Sequence, residues 1–203
     1  YVSITTSREL MPDPAPQVKR LAGADRYQTM TEVSKTAFPN TGWCPTVVLA
    51  RGDNFPDALA AAGLAGVTGG QVLLTETGQL TKATSNEIKR LGAKKAYVIG
   101  DRYSVSDKAF GSIKSLVGGN AERLGGASRE ETAVKIYGAG KSAGGWGATA
   151  IVATGQKAPD SLSVSPIAYA LKAPIFLTDK NGALPKAALD AIKAGGFTKV
   201  IVL

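Results

Sequence analysis

Arg20-Leu21-Ala22-Gly23-Ala24-Asp25-Arg26-Tyr27-Gln28-Thr29 returns, 103 residues later, as Arg123-Leu124-Gly125-Gly126-Ala127-Ser128-Arg129-Glu130-Glu131-Thr132. The echo continues downstream. Ala50-Arg51-Gly52 meets Ala153-Thr154-Gly155, Pro56-Asp57-Ala58-Leu59 meets Pro159-Asp160-Ser161-Leu162, and Val72-Leu73-Leu74-Thr75 meets Ile175-Phe176-Leu177-Thr178. After one residue of drift, Lys95-Ala96-Tyr97-Val98-Ile99 meets Lys199-Val200-Ile201-Val202-Leu203. A repeat of this period is one supersecondary unit used more than once, and it sets the organisation of the chain. Residues 1–18 form a linker or tail, with Pro12, Pro14 and Pro16 favouring extended backbone. Residues 19–121 form the first copy and 122–203 the second. The first copy runs on past Ile99 through another helical stretch, whereas the second stops on an apolar run, so the sequence is expected to be part of something longer.

Within each copy, short apolar runs alternate with helical periodicity. Thr46–Ala50, Val72–Thr75 and Ala96–Gly100 lack polar alternation, as do Ala148–Ala153, Pro174–Thr178 and Lys199–Leu203. Such runs read as strands covered on both faces. Arg26–Phe38, Thr81–Leu91 and Ser106–Val117 have helical spacing, and Pro56-Asp57 is suited to a helix's first turn. Strand–helix alternation predicts parallel pairing. The expected fold class is therefore α/β: tandem three-layer sandwich modules, each with a mostly parallel, Rossmann-like sheet. Ligands on such sheets sit beyond the carboxyl ends of the strands, which places Arg51–Asp57, Glu76–Gln79 and Asp101–Ser106 on one rim.

Composition removes several chemistries. The chain has no histidine, so it lacks the usual general base near neutral pH and the triads that depend on it. Cys44 is alone, which excludes an internal disulfide, and it reads as a small apolar residue before a strand. No apolar run approaches the roughly 20 residues that span a bilayer, and no leader pattern stands at the start. The net charge is +8, with 13 basic and 8 acidic side chains in residues 19–121 and 10 and 6 in residues 122–203. A positive excess spread over both copies favours polyanionic partners.

The ordered pattern Arg-Leu-x-Gly-x-x-Arg-x-x-Thr, strand-Ala-x-Gly-x-x-x-Pro-Asp-x-Leu, strand-Leu-Thr and strand-Gly-x-x-x-Val-Ser resembles the cell wall binding repeat 2 family. The first copy carries all of it, from Arg20 to Val105-Ser106; the second carries Arg123, Gly126, Arg129, Thr132, Gly155, Pro159-Asp160, Leu162 and Leu177-Thr178, with Ala158 where the first has Phe55. The resemblance implies topoisomerase-primase-like units packed around a pseudo-threefold axis. It also implies a secreted protein held non-covalently, through further repeat copies, to an anionic cell wall polysaccharide of a Gram-positive bacterium. It implies no cofactor, no metal, no specific nucleic acid and no catalysis.

Arg20, Arg26, Arg123 and Arg129 flank a glycine turn that opens a helix, where guanidinium groups and free N–H groups suit an anion. With Arg51 and Arg102 on the rim, they are the candidate polymer-binding residues. Arg26 and Arg129 have a competing structural role, pairing with Asp57 or Asp160. Gly23, Gly126, Asp57, Asp160, Thr75 and Thr178 are motif residues of structural character, with the threonines placed to close turns at strand ends.

Two other readings compete. Gly138-Ala139-Gly140-Lys141-Ser142 imitates a phosphate loop, but position 135 is Lys rather than Gly, and we expect a flexible glycine-rich connection instead. A metal-dependent phosphoester hydrolase on the same scaffold would use Asp53, Asp57 and Asp101, without an Asp-x-Asp pair to hold a hard cation. Nucleic-acid binding has the charge but not the interleaved aromatic residues.

Overall fold

The computed structural model describes residues 18–53, 60–156 and 158–203. The Pro-rich segment, Phe55 and Pro56-Asp57-Ala58-Leu59 lie outside the described residues, and so does the side chain of Asp160.

The first sheet is built from β1 (Thr46–Arg51), β2 (Gln71–Thr75), β3 (Lys95–Ile99) and β4 (Ala121–Leu124) in the order β2-β1-β3-β4. The second is built from β5 (Thr149–Thr154), β6 (Ile175–Thr178) and β7 (Lys199–Val202) in the order β6-β5-β7. All five pairings are parallel, with Leu49 opposite Leu73 and Val98, and Val152 opposite Phe176 and Val202. The helices of the first copy are α1 (Arg26–Ala37), α2 (Ala61–Thr68), α3 (Lys82–Leu91) and α4 (Asp107–Leu116). Those of the second are α5 (Arg129–Ala143), α6 (Ala158–Ser163), α7 (Ser165–Ala170) and α8 (Lys186–Ala194). The expected α/β fold with parallel sheets is what forms.

The strand period of two divides β1 between two cores. Val47 and Leu49 pack with Met30 of α1, Ile88 of α3 and Ile113 of α4. Val48 and Ala50 point the other way, into a cluster containing Leu64 of α2 together with Ile136, Ile151, Ala168 and Ile175 of the second copy. The two copies thus share one core, and α2 is buried from Ala61 to Gly66. Its glycines allow that approach. A Cβ on Gly63 would lie 2.1 Å from the Ala173 carbonyl oxygen, and one on Gly66 would lie 2.2 Å from that of Tyr169. Burying the apolar face of a Leu or Ile side chain stabilises by about 1.5–3 kcal/mol.

Three local expectations are corrected. Arg123-Leu124 is part of a strand, because Leu124 pairs with Ile99 and is buried. The sequence signal was weak, since only four residues are involved and Glu122 and Arg123 break the apolar run. The division at residue 121 therefore runs along a strand that completes the first sheet. Gly138–Ser142 is not a flexible connection but the last turns of α5, where Gly140 leaves room for the Trp146 ring; a Cβ there would meet Cζ2 at 2.1 Å. Lys95, outside the expected strand Ala96–Gly100, begins β3 and places its ammonium 4.5 Å from the centroid of the Tyr97 ring.

The second copy also fills its outer core differently. Ser34 of α1 donates to the buried Glu87 carboxylate at 2.5 Å, and Arg90 donates to it through Nε and Nη2 at 2.8 and 2.7 Å. The equivalent positions are Tyr137, Ala191 and Ala194. There an aromatic cluster replaces the polar network, with Tyr137 against Phe176 and Phe197 at centroid distances of 5.3 and 6.2 Å.

Candidate functional site

The repeated motif assembles at the carboxyl ends of the strands, where α1 and α5 begin. Gly23 N donates to Thr29 Oγ1 at 3.0 Å, and Gly126 N donates to Thr132 Oγ1 at the same distance. Asp25 and Ser128 cap the helices by accepting from the backbone N–H groups of Gln28 and Glu131. The glycines are required by packing, because a Cβ on Gly23 or Gly126 would sit 2.3 or 2.4 Å from the Cβ of Gln28 or Glu131.

Arg26 Nη1 donates to the Gly52 carbonyl oxygen at 2.5 Å, and Arg129 Nη1 donates to that of Gly155. Gly52 N and Gly155 N in turn donate to the Thr75 and Thr178 carbonyl oxygens, at 2.9 and 3.3 Å. In each copy the chain Arg–Gly–Thr ties the helix start to two adjacent strand ends. The described acceptors are backbone carbonyls; the expected partners, Asp57 and the Asp160 side chain, lie outside the described residues. Thr75 Oγ1 donates to the Glu76 and Gln79 carbonyls at 3.2 and 3.3 Å, which closes the turn after β2.

Arg123 leaves β4 to enter the loop after β3. Its Nη1 donates to the carbonyl oxygens of Asp101 and Val105 at 3.0 and 2.6 Å, and its Nη2 lies 3.2 Å from Asp107 Oδ1. The guanidinium stacks on Phe110, 4.6 Å from the ring centroid. Arg20, its counterpart, is exposed and has no hydrogen-bond or ion-pair partner among the described residues. The partners Phe110 and Asp107 escaped sequence reasoning because only β4 pairing brings Arg123 above α4.

Arg51 holds Asp53 bidentately at 2.9 and 3.0 Å, which keeps the Asp53 carboxyl below the usual carboxylate range. Arg102 is exposed and reaches Asp107 only at 3.8 Å. Asp101 accepts from Tyr103 N and Ser104 N at 3.0 and 2.9 Å. The two described aspartates of the hydrolase reading are therefore engaged with Arg51 and with a turn. Among the described residues, no group of three or more His, Cys, Asp or Glu is placed to hold a metal ion. Likewise, no helix there is long and apolar enough to cross a membrane.

The six arginines do not share one role. Arg26, Arg123 and Arg129 hold backbone carbonyls, Arg51 holds a carboxylate, and Arg20 and Arg102 face solvent. Beside Arg26, the Tyr27 ring lies against Gly52, where a Cβ would be 2.8 Å from it. Burial, reinforced by the carboxylates of Glu76 and Asp53, pushes the Tyr27 phenol up, so it remains a neutral hydroxyl.

Comparison with known proteins places this arrangement. Residues 20–110 and 123–203 each match cell wall binding domain 2 (CWB2). The chain is 30% identical over 188 residues to the N-acetylmuramoyl-L-alanine amidase LytC of Bacillus subtilis (strain 168), covering 92% of this chain and 36% of that protein. It is 35% identical over 162 residues to the amidase enhancer of the same organism, covering 80% and 22%. Among solved structures, Cwp6 from Clostridium difficile superposes with a TM-score of 0.80 at 30% identity, covering 90% of this chain and 28% of that one. Cwp8 from the same organism gives 0.74 at 25% identity, covering 91% and 31%. The chain thus spans about a third or less of each relative's length. It belongs to the cell wall binding domain 2 family, whose domains are cell wall binding modules.

Proposed function

We propose that this chain anchors a secreted protein at the surface of a Gram-positive bacterium by gripping an anionic, teichoic-acid-like secondary wall polymer non-covalently. The observation that carries this reading is the duplication itself. Two CWB2 copies are fused through one core, and each has an excess of basic side chains. Repeated weak contacts to a repeating polymer multiply into avidity. Such binding weakens as salt screens exposed charge.

A further repeat copy is the expected partner for the open side of the second sheet. The strand β3 is paired on both sides, by β1 and by β4 from the following repeat, and Val98 is buried. Among the described residues its counterpart β7 pairs only with β5, and Val202 is 72% exposed. Ile167 of α7 and Leu171, just past its end, are exposed as well.

Retention on purified walls, before and after removal of their anionic polymer, tests the proposal. Loss of retention on stripped walls, and weakening with added salt, are the expected results. Equal retention on both preparations would remove the anionic polymer from the account.

A further inference from the structure

A groove runs along the first copy between α1 and α3. These helices face the first copy's own core, whereas α2 docks onto the second copy from the opposite side of the sheet. The wide end of the groove, about 550 Å³, lies beside the end of β2 and is walled by Tyr27, Gln28, Glu76 and Gln79. Past Gln28 and Ala83, which border both parts, it narrows to about 360 Å³ between Thr31 and Asn86.

The lining is rich in amide and hydroxyl groups, with one phenol ring. Its charges nearly offset, four carboxylates facing three cations. That balance does not concentrate a polyanion, and it suits an uncharged polyhydroxylated ligand. Two of the amides are held in place. Gln79 Nε2 donates to Glu76 Oε2 at 2.9 Å, and Gln28 is fixed to Asp25 through its backbone N at 2.7 Å and its Nε2 at 3.4 Å. Side chains already held in one rotamer lose little entropy on binding. The Tyr27 ring, seated on Gly52, is a rigid apolar surface of the kind a sugar ring can cover, and its hydroxyl stays protonated.

The groove recurs at the matching place in the second copy, as a cavity of about 290 Å³ between α5 and α8. Every residue around it, Glu130, Glu131, Val134, Lys135, Pro185 and Ala187, stands at a position whose counterpart lines the first groove. The concavity is retained while the chemistry changes: Glu130 replaces Tyr27 and Glu131 replaces Gln28.

We infer that the α1/α3 groove of the first copy is a saccharide site for uncharged sugar units of the wall polymer, with Tyr27, Gln28, Gln79 and Asn86 as its contacts. The inference rests on the wall-binding reading above. It also divides the labour within the polymer: sugar units enter the groove, and charged groups meet the exposed basic surface. With carboxylates in place of the ring and the amide, the second copy does not take the same unit.

The test compares the full chain with Ala83→Trp, which plugs the groove where its two parts meet, with Asn86→Ala, and with Ser112→Trp on the exposed side of α4 as a control. Each is measured for retention on purified walls. Each is also titrated with the neutral oligosaccharides released from the same walls by hydrofluoric acid, which cleaves phosphodiesters, while amide chemical shifts are followed by NMR. Ala83→Trp should lose wall affinity about tenfold, with a smaller loss for Asn86→Ala and none for Ser112→Trp. The neutral oligosaccharides should shift the amides of Gln28, Gln79, Ala83 and Asn86 in the unaltered chain. Retention of a folded Ala83→Trp chain equal to that of the unaltered chain, or unshifted groove amides, would overturn the saccharide site while leaving wall binding intact. Failure of the unaltered chain to stay on walls would overturn the wall-binding reading instead.

Discussion

The guanidinium of Arg123 lies over the ring of Phe110, 4.6 Å from its centroid, and in that position donates to the carbonyl oxygen of Val105 at 2.6 Å. A side chain from the start of the second repeat thereby closes the last loop of the first. Replacing it by Ala leaves the Asp101 and Val105 carbonyls without these donors and removes the cation–π contact. We expect Arg123→Ala to lower stability by about 2–3 kcal/mol. Arg123→Lys should recover only part, since an ammonium cannot match the planar fork. Urea unfolding of the three proteins measures this, and an unchanged midpoint for Arg123→Ala would show that the contact contributes nothing.

The approach of α2 to the second copy gives a second expectation. The atom that a Cβ on Gly63 would strike is the backbone oxygen of Ala173, which cannot rotate away. Gly63→Ala should therefore cost about 3 kcal/mol despite the better helix propensity of Ala. Gly78, whose Cβ would meet nothing within 4 Å, is the control. Thermal melts of Gly63→Ala and Gly78→Ala side by side check the difference; equal midpoints would mean that the copies do not dock this tightly.

The two helix-start arginines lead to opposite expectations for stability and for wall binding. Arg26 and Arg129 each hold a glycine carbonyl at a strand end. Losing a charge-assisted bond of this kind costs about 1.5–3 kcal/mol. Arg26→Gln should lower the unfolding midpoint while the folded protein keeps its retention on walls. A folded Arg26→Gln chain that no longer binds walls would instead make Arg26 a ligand contact.

Cys44 offers a chemical probe of opening. It is fully buried, and burial pushes its thiol above the ordinary 9.0. The folded chain therefore holds the thiol proton more tightly than the unfolded chain does. The stability this contributes is complete below the unfolded thiol's pKa and is lost as pH rises through the folded one. At pH 8 we expect a thiol reagent to label Cys44 only as fast as the protein opens, with urea accelerating the reaction. Labelling of the native chain at the rate of a free thiol would contradict its burial.

The strands were legible because those of a parallel sheet are covered on both faces and show as apolar runs without polar alternation; Val47–Ala50 and Ile151–Ala153 are examples. The motif positions were legible because the repeat states them twice. The acceptors of Arg26 and Arg129 were not, since a carbonyl oxygen belongs to every residue and leaves no mark in a sequence. Nor was the groove beside Tyr27, whose lining comes from two segments far apart in the chain, residues 25–35 and 76–90.

By itself, the sequence determined that this protein is a duplicated α/β unit, because local period and internal repetition are properties of the chain read in order. Only the tertiary structure decided which arginines are tied up in holding the fold and which remain in solvent. That outcome depends on β4 pairing with β3, which sets Arg123 above α4, and on Gly52 and Gly155 meeting the starts of α1 and α5. Both are contacts between residues far apart in the chain, where geometry rather than residue type selects the partner.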